Sequence, residues 1–257
     1  MLVVLAFGYV IVILLGFWLA ILVVSPLSKR GARYLAGVVV RYCAPMFFRV
    51  ARRMLNFRVA SSPDFTDVLP RHCLVISNHQ SLLDIPLFMT FFSGRRLRFV
   101  AKQELAQGVP LISDVLRIQD HCIIPRTGDT GTAMERLDSF ADRIVDQGLF
   151  GVIFPEGTRS RDGNMCRFYA AGFRRILTRR PMPVVACALE GSYRFATLGS
   201  VFRFMPNGCY RLKILKIYPP PQSKAEQLHI LEESQCLMEA QLLRWREPPE
   251  MPENLPL

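Results

Sequence analysis

Two segments of this 257-residue chain carry residues able to do chemistry. Asn78-His79-Gln80-Ser81-Leu82-Leu83-Asp84 pairs an imidazole with a carboxylate. Phe154-Pro155-Glu156-Gly157-Thr158-Arg159-Ser160 sets an acid and a base on a tight Pro/Gly turn. Each follows a short apolar run, Leu74–Ser77 and 150–154, of the kind that forms a buried strand. In open α/β sheets ligands gather outside the carboxyl ends of strands. Together the two segments suggest catalysis on a phosphorylated substrate.

His79 and Asp84 are five positions apart, so on one continuous helix they would lie about 140° apart and could not meet. They can meet if His79 lies in the turn, Ser81 caps the next helix and Asp84 sits in its first turn, where a carboxylate is favoured. The carboxylate then holds one imidazole nitrogen and leaves the other as a proton acceptor. The same residues also spell a plain capping box, Ser81-x-x-Asp84. A lone His-x4-Asp arises often by chance, and its weight comes from the second segment at compatible spacing.

The elements that must position these residues follow from hydrophobic periodicity. Candidate strands cover 73–77, 97–101, 121–124, 150–154, 183–188 and 210–217, the last alternating through Tyr210, Leu212 and Ile214 to Ile217 with one step broken. Met134, Leu137, Ala141, Ile144 and Val145 keep helical spacing until Gly148 closes the helix. Ser223 and Glu226 cap a last amphipathic helix running to Trp245. Strands alternating with helices predict an α/β domain around a mixed, largely parallel sheet with flanking helices. On this layout His79, Arg126 and the pair Glu156 and Arg159 each follow a strand and point to one edge.

The N-terminus has another character. Leu2 to Val24 contains no charged residue, and a helix of that length spans roughly 35 Å against roughly 30 Å of hydrocarbon. A cleaved signal peptide would need a basic start, a shorter apolar stretch and a small-x-small site. Lys29, Arg30 and Arg33 follow directly, so the expected anchor is a single helix with the catalytic domain on the cytoplasmic face, at the inner membrane if the chain is bacterial. Between Ala32 and Phe57, Arg41, Arg49, Arg52 and Arg53 fall within roughly a 120° arc of a straight helix. Pro45 is expected to kink or split that helix into two pieces along the membrane surface, with arginines toward anionic head groups. The regions are thus an anchor at 1–28, interface helices at 29–60, a catalytic domain at 61–246 and a disordered tail at 247–257.

A net charge of +11 invites a nucleic-acid reading, yet no recognition-helix, zinc-finger or aromatic single-strand pattern accompanies it. Membrane lipid and a phosphorylated substrate account for the charge without nucleic acid. The seven cysteines are odd in number and widely spaced, with no metal-ligand or redox spacing, and read as reduced thiols without a structural metal.

With these residues in view the chain resembles the 1-acylglycerol-3-phosphate acyltransferase family. Asn78 to Asp84 is similar to the first family block, Ile123-Ile124-Pro125-Arg126 to the second, Phe154 to Ser160 to the third and Met182-Pro183-Val184-Val185 to the fourth. Phe99 to Leu105, with Lys102 inside it, and then Pro110, resemble the stretch between the first two blocks. The likeness covers about residues 70 to 220. It departs at Pro125, where an acidic or amide residue is common, at Ala186 in place of a second proline, and after the third block, where Arg167 or Arg174 would substitute for a lysine.

The resemblance implies a glycerolphosphate acyltransferase-like fold and transfer of a fatty acyl group from acyl-CoA or acyl carrier protein to a lysophospholipid hydroxyl, with no cofactor beyond that thioester. His79 would be the general base and Asp84 its orienting carboxylate. Arg126 and Arg159 would hold the acceptor phosphate through guanidinium forks, with Lys102, Gly157 and Thr158 also on the substrate. Glu156 is expected to fix an arginine or hydrogen-bond the glycerol. A hydrolase would need a nucleophile, and no Gly-x-Ser-x-Gly elbow occurs. An acyltransferase for another acceptor (glycerol 3-phosphate, another lysophospholipid or a lyso-aminolipid) and a non-catalytic membrane scaffold are the competing readings.

Overall fold

The computed structural model describes residues 2–61, 68–125, 130–195 and 198–247. Helix α1 (Leu2–Leu27) leaves Leu5, Tyr9, Val12, Leu15, Leu19 and Val23 exposed. Ser28 ends it and starts the next, its hydroxyl accepting the Gly31 N–H at 3.1 Å to cap α2 (Lys29–Val38). The chain stays helical through a π-helical turn, Val39–Cys43, into α3 (Ala44–Leu55). The helix is not split at Pro45 as expected, although proline lacks an N–H and crowds the carbonyl four residues earlier. A wider turn immediately before it relieves that clash, and Pro45 enters α3 in its first turn.

Gly8–Leu27 and Lys29–Leu55 are each long and apolar enough to cross a membrane by length and composition. Where the sequence predicts one helix of that length, the structure has two. One face of the second helix is taken by protein, since Phe48, Ala51 and Leu55 pack into the domain core. Between the two helices Ile21, Ala36, Val39 and Cys43 meet Val115 of α5 (Ile112–Ile118). Trp18 Nε1 donates to Asp114 Oδ2 at 3.0 Å and ties α1 to the same helix.

The domain is built on a seven-stranded sheet of order β1-β7-β6-β2-β5-β3-β4. The strands are β1 (Arg58–Ser61), β2 (Cys73–Ser77), β3 (Leu97–Lys102), β4 (Cys122–Ile124), β5 (Phe150–Ile153), β6 (Val184–Glu190) and β7 (Cys209–Tyr218). β6, β2, β5, β3 and β4 run parallel, and β7 runs antiparallel to β6 with β1 parallel alongside it. This is the mixed, largely parallel sheet expected. β1 has no counterpart among the expected strands: it is four residues long, mostly exposed, and lies at the sheet edge, so it has no apolar run to reveal it. The broken step in the β7 alternation is a bulge, where Lys216 pairs with Ala186 and Ile214 with Cys187. One extra residue swings the side chains after it to the other face.

Strand alternation sends Cys73 and Val75 to one core and Leu74 and Ile76 to the other. The first core is covered by α3 and α4 (Asp84–Phe91), the second by α6 (Thr130–Gln147), α7 (Ala170–Arg179) and α9 (Lys224–Arg246). A short α8 (Leu198–Phe204) completes the elements described. With both faces covered, every residue of β2 is buried, as a central parallel strand requires. Gly148, at φ +62°, ends α6, and the Leu149 N–H reaches the Ile144 carbonyl at 2.9 Å. The Ser223 hydroxyl caps α9 by accepting the Glu226 N–H at 3.1 Å. The Glu226 carboxylate returns to the Gln222 N–H rather than that of Ser223, one residue off the standard box.

Candidate active site

β2 and β5 are neighbours in register, with Ile76 opposite Ile153. The turns that follow them therefore emerge together, and the two sequence segments meet. Ser160 N–H donates to the His79 carbonyl at 2.8 Å, and the His79 N–H donates to Glu156 Oε1 at 2.6 Å. The Phe154 ring lies flat against the imidazole, centroids 4.0 Å apart and planes 10° from parallel. The histidine is thus fixed through its backbone on both sides and through one ring face.

His79 Nδ1 and Asp84 Oδ2 are 2.7 Å apart. His79 sits in the turn and Asp84 is the first residue of α4, as the five-residue spacing requires. Asp84 is fully buried. Its Oδ2 also accepts the N–H groups of Gln80 at 2.7 Å and Ser81 at 3.0 Å, and the Ser81 hydroxyl accepts the Leu83 N–H at 3.2 Å. Only half of the expected capping box forms: the Asp84 carboxylate accepts the Ser81 N–H, but the Ser81 hydroxyl turns to Leu83, and α4 starts after Leu83 without a side-chain cap. The other oxygen, Oδ1, accepts Ser192 Oγ–H at 2.6 Å and the hydroxyl of Tyr210.

Burial by itself would push the Asp84 carboxyl up, but the hydrogen bonds from His79, Ser192 and the Ser81 N–H outweigh it and hold the group below the usual carboxylate range. Burial and the Asp84 charge push the Tyr210 phenol well up, so it stays a donor. An ionised Asp84 can only accept. His79 Nδ1 must then carry its proton, which leaves Nε2 as the lone-pair nitrogen. An imidazole fixed in this tautomer can take a proton from a hydroxyl.

Glu156 corrects an expectation. Its two oxygens accept backbone N–H groups, His79 at 2.6 Å and Cys166 at 2.8 Å, and it pairs with no arginine among the described residues. The carboxylate braces the loops around the histidine. Burial pushes its carboxyl up, partly offset by those two N–H groups. Gly157, at φ +60°, closes the turn with its N–H on the Phe154 carbonyl at 3.0 Å. That left-handed backbone favours glycine, and a Cβ there would meet nothing within 4 Å, so conformation and not crowding selects the residue.

Gly157, Thr158 and Arg159 stand exposed on this turn, and Arg159 has no partner among the described residues. Lys102 ends β3, also exposed, at the same carboxyl-terminal edge of the sheet. Arg126 lies outside the described residues. Arg174 places its Nε in the interior without a hydrogen-bond partner.

Several residues that build the site had no role assigned to them from the sequence. Asn78 exchanges hydrogen bonds with the backbone of Leu189, at 2.9 and 2.8 Å, and so locks the β2 turn to β6. Gln80 Oε1 accepts the N–H groups of Gly191 and Ser192 at 3.0 and 3.2 Å, and its Nε2 donates to Glu190 Oε2 at 3.1 Å. Arg246, at the end of α9, holds that same Glu190 oxygen at 2.9 Å. Nothing in the sequence around Ser192 or Tyr210 marks either as a partner of Asp84, and the antiparallel return of β7 brings Tyr210 to it.

Residues 64–190 match the family model described as Acyltransferase. The chain is 32% identical over 120 residues to the 1-acyl-sn-glycerol-3-phosphate acyltransferase of Cocos nucifera, covering 47% of this chain and 38% of that one. It is 27% identical over 149 residues to the beta form of that enzyme from Homo sapiens, covering 58% and 51%. It is 27% identical over 164 residues to the enzyme from Helicobacter pylori, covering 62% and 65%. The chain thus spans less than two thirds of the length of each of these relatives. In fold it is similar to the crystal structure of PlsC, the 1-acyl-sn-glycerophosphate acyltransferase of Thermotoga maritima, with a TM-score of 0.69, 22% identity and 97% of both chains covered.

Proposed function

We propose that the protein, whose residues 64–190 match the family model described as Acyltransferase, moves a fatty acyl group from an acyl-CoA or acyl carrier protein thioester to the free hydroxyl of 1-acylglycerol 3-phosphate, forming phosphatidate. The observation that carries the proposal is the 2.7 Å contact of His79 Nδ1 with an Asp84 whose other bonds are all donated to it. His79 Nε2 takes the hydroxyl proton as the oxygen attacks the thioester carbonyl. The tetrahedral intermediate collapses with cleavage of the C–S bond, and the proton on His79 passes to the departing thiolate. Asp84 keeps its charge throughout and stabilises the imidazolium.

Arg159 and Arg126, with Lys102, Thr158 and the Gly157 backbone, serve the acceptor phosphate. The exposed position of Arg159, next to the Ser160 that bonds the His79 carbonyl and without a partner among the described residues, supports its share of that role. Glu156 acts through the backbone of His79 and not on substrate. The paired apolar helices support membrane association.

The test is a panel of acceptors and donors with mass-spectrometric identification of the lipid product. Lysophosphatidate with either thioester should yield phosphatidate, and His79→Ala should lower the rate by roughly 10²- to 10⁴-fold. Product from glycerol 3-phosphate or a lyso-aminolipid in its place would reassign the acceptor. An undiminished rate in His79→Ala would remove the general base, and no product from any pair would leave a scaffold.

A further inference from the structure

A cavity of about 360 Å³ opens between α2, the π-helical turn and the loop that leads into β3. Arg33, Arg41, Arg95, Arg96 and Arg98 line it. Arg95 and Arg96 precede β3, which runs parallel to β5 and so to β2, and His79 follows the far end of β2. The cavity and the catalytic pair are therefore at opposite ends of the sheet. None of the substrate positions discussed above reaches it.

Among the described residues little negative charge offsets this cavity. Of the five guanidinium groups, only Arg33 faces a carboxylate among the described residues, Asp120 at 3.4 Å, and that pair is exposed. Arg98 donates to two neutral acceptors, the Leu97 carbonyl at 2.8 Å and Gln119 Oε1 at 3.0 Å. Arg96 reaches only Gln147 Oε1 at 3.5 Å, and Arg95 and Arg41 lie over aromatic rings. Gln119 is itself fixed by its Nε2 on the Arg33 carbonyl at 3.0 Å, so the α2 wall and Arg98 are held in one frame.

We propose that this cleft is a second anion site that takes a phosphate-bearing group. Several guanidinium forks converging on one concavity match the planar pairs of oxygens that a phosphate offers. A cleft of one sign with low-dielectric walls also concentrates counter-ions. In keeping with this, burial and the neighbouring charges of Arg96, Arg143 and Arg33 lower the Arg98 pKa to about 10, with only Asp120 opposing; an anion would relieve that repulsion. The chemistry is shared by a phospholipid head group and free phosphate. The exposed apolar surface of α1 ends at Leu27, directly before the helix that walls the cleft, and this favours a lipid as the source.

The test uses the full-length chain in neutral detergent micelles, with phosphatidylglycerol, phosphatidylcholine or inorganic phosphate as probe. Native mass spectrometry counts bound molecules, and the thermal midpoint reads stabilisation. A cleft variant, Arg95→Gln with Arg96→Gln, is set beside Arg203→Gln with Arg244→Gln, which removes the same charge from exposed positions on α8 and α9. Phosphatidylglycerol should bind in preference to phosphatidylcholine, and only the cleft variant should weaken that binding, by at least roughly tenfold. If inorganic phosphate shows the cleft-specific loss and phosphatidylglycerol does not, the site stands with free phosphate as its ligand. If both variants lose binding equally, or neither does, the preference is diffuse charge and the site is refuted.

Discussion

Asp84→Asn separates the two services a carboxylate gives a histidine, orientation and charge. In the native site Oδ2 accepts two fixed backbone N–H groups and His79 Nδ1, whereas Oδ1 accepts two hydroxyls. An asparagine that turned its NH2 toward Gln80 and Ser81 would set donor against donor. Turned the other way, the NH2 meets Ser192 and Tyr210, whose hydroxyls rotate and can accept. The amide oxygen therefore remains at the Oδ2 position, Nδ1 keeps its proton, and the catalytic tautomer survives.

What the variant loses is the charge. A hydrogen bond to an ionised group contributes about 1.5–3 kcal/mol and a neutral one about 0.5–1.5. The difference of about 1–2 kcal/mol corresponds to a rate reduction of roughly 5- to 30-fold. That is far milder than the roughly 10⁴-fold loss seen where asparagine imposes the wrong tautomer. Turnover of lysophosphatidate at neutral pH measures it directly. A loss of 10³-fold or more would refute the orientation reasoning, and an unchanged rate would refute the charge reasoning.

The same variant reports on stability. The native Asp84 carboxyl lies below its unfolded value of 3.8, so its contribution is present above that pH and disappears as pH falls through the native value. The gap in stability between parent and Asp84→Asn should thus be widest at neutral pH and narrow on acidification. Urea unfolding at several pH values would show it, and a gap that widens in acid has the wrong sign.

Glu156→Gln should cost about 1–3 kcal/mol and slow turnover, because a glutamine must turn an NH2 toward either the His79 or the Cys166 N–H and leave a buried donor unpaired. The raised native pKa of Glu156 opposes this: its favourable contribution is present below the unfolded pKa and lost as pH rises through the native one. The deficit measured by thermal unfolding should therefore shrink as pH rises, and a variant as stable as the parent below pH 4 would show that the two N–H contacts hold nothing. Washing isolated membranes at high pH with carbonate should leave the full chain in the pellet, held by two helices of spanning length; release into the supernatant would show that neither is inserted.

Period and composition made most of the layers legible. β2, β5 and β6 are runs buried on both faces, and α6 announces its end at Gly148. The His79 and Asp84 geometry could also be worked out beforehand, because helix periodicity forbids the contact unless the histidine precedes the helix. Partners distant in sequence were not legible. Nothing near Tyr210 says that a strand returning antiparallel will deliver its hydroxyl to a carboxylate 126 positions away. The role of Glu156 was misread for a related reason: a charged side chain suggests a charged partner, yet a buried turn has backbone N–H groups to satisfy, and they reached it first. β1 was missed because an exposed edge strand needs no apolar side chains.

The braces on the histidine have a consequence for the order in which the protein is made. His79 leaves the ribosome well before Ser192 and Tyr210, and before Arg246, which secures Glu190 behind Gln80. Until β7 emerges Asp84 lacks the Tyr210 hydroxyl, and until the last helix follows it the turn lacks its outer clasp. Vectorial synthesis thus makes the apolar helices first and completes the histidine turn last. A chain whose apolar helices are complete still lacks the groups that hold its histidine.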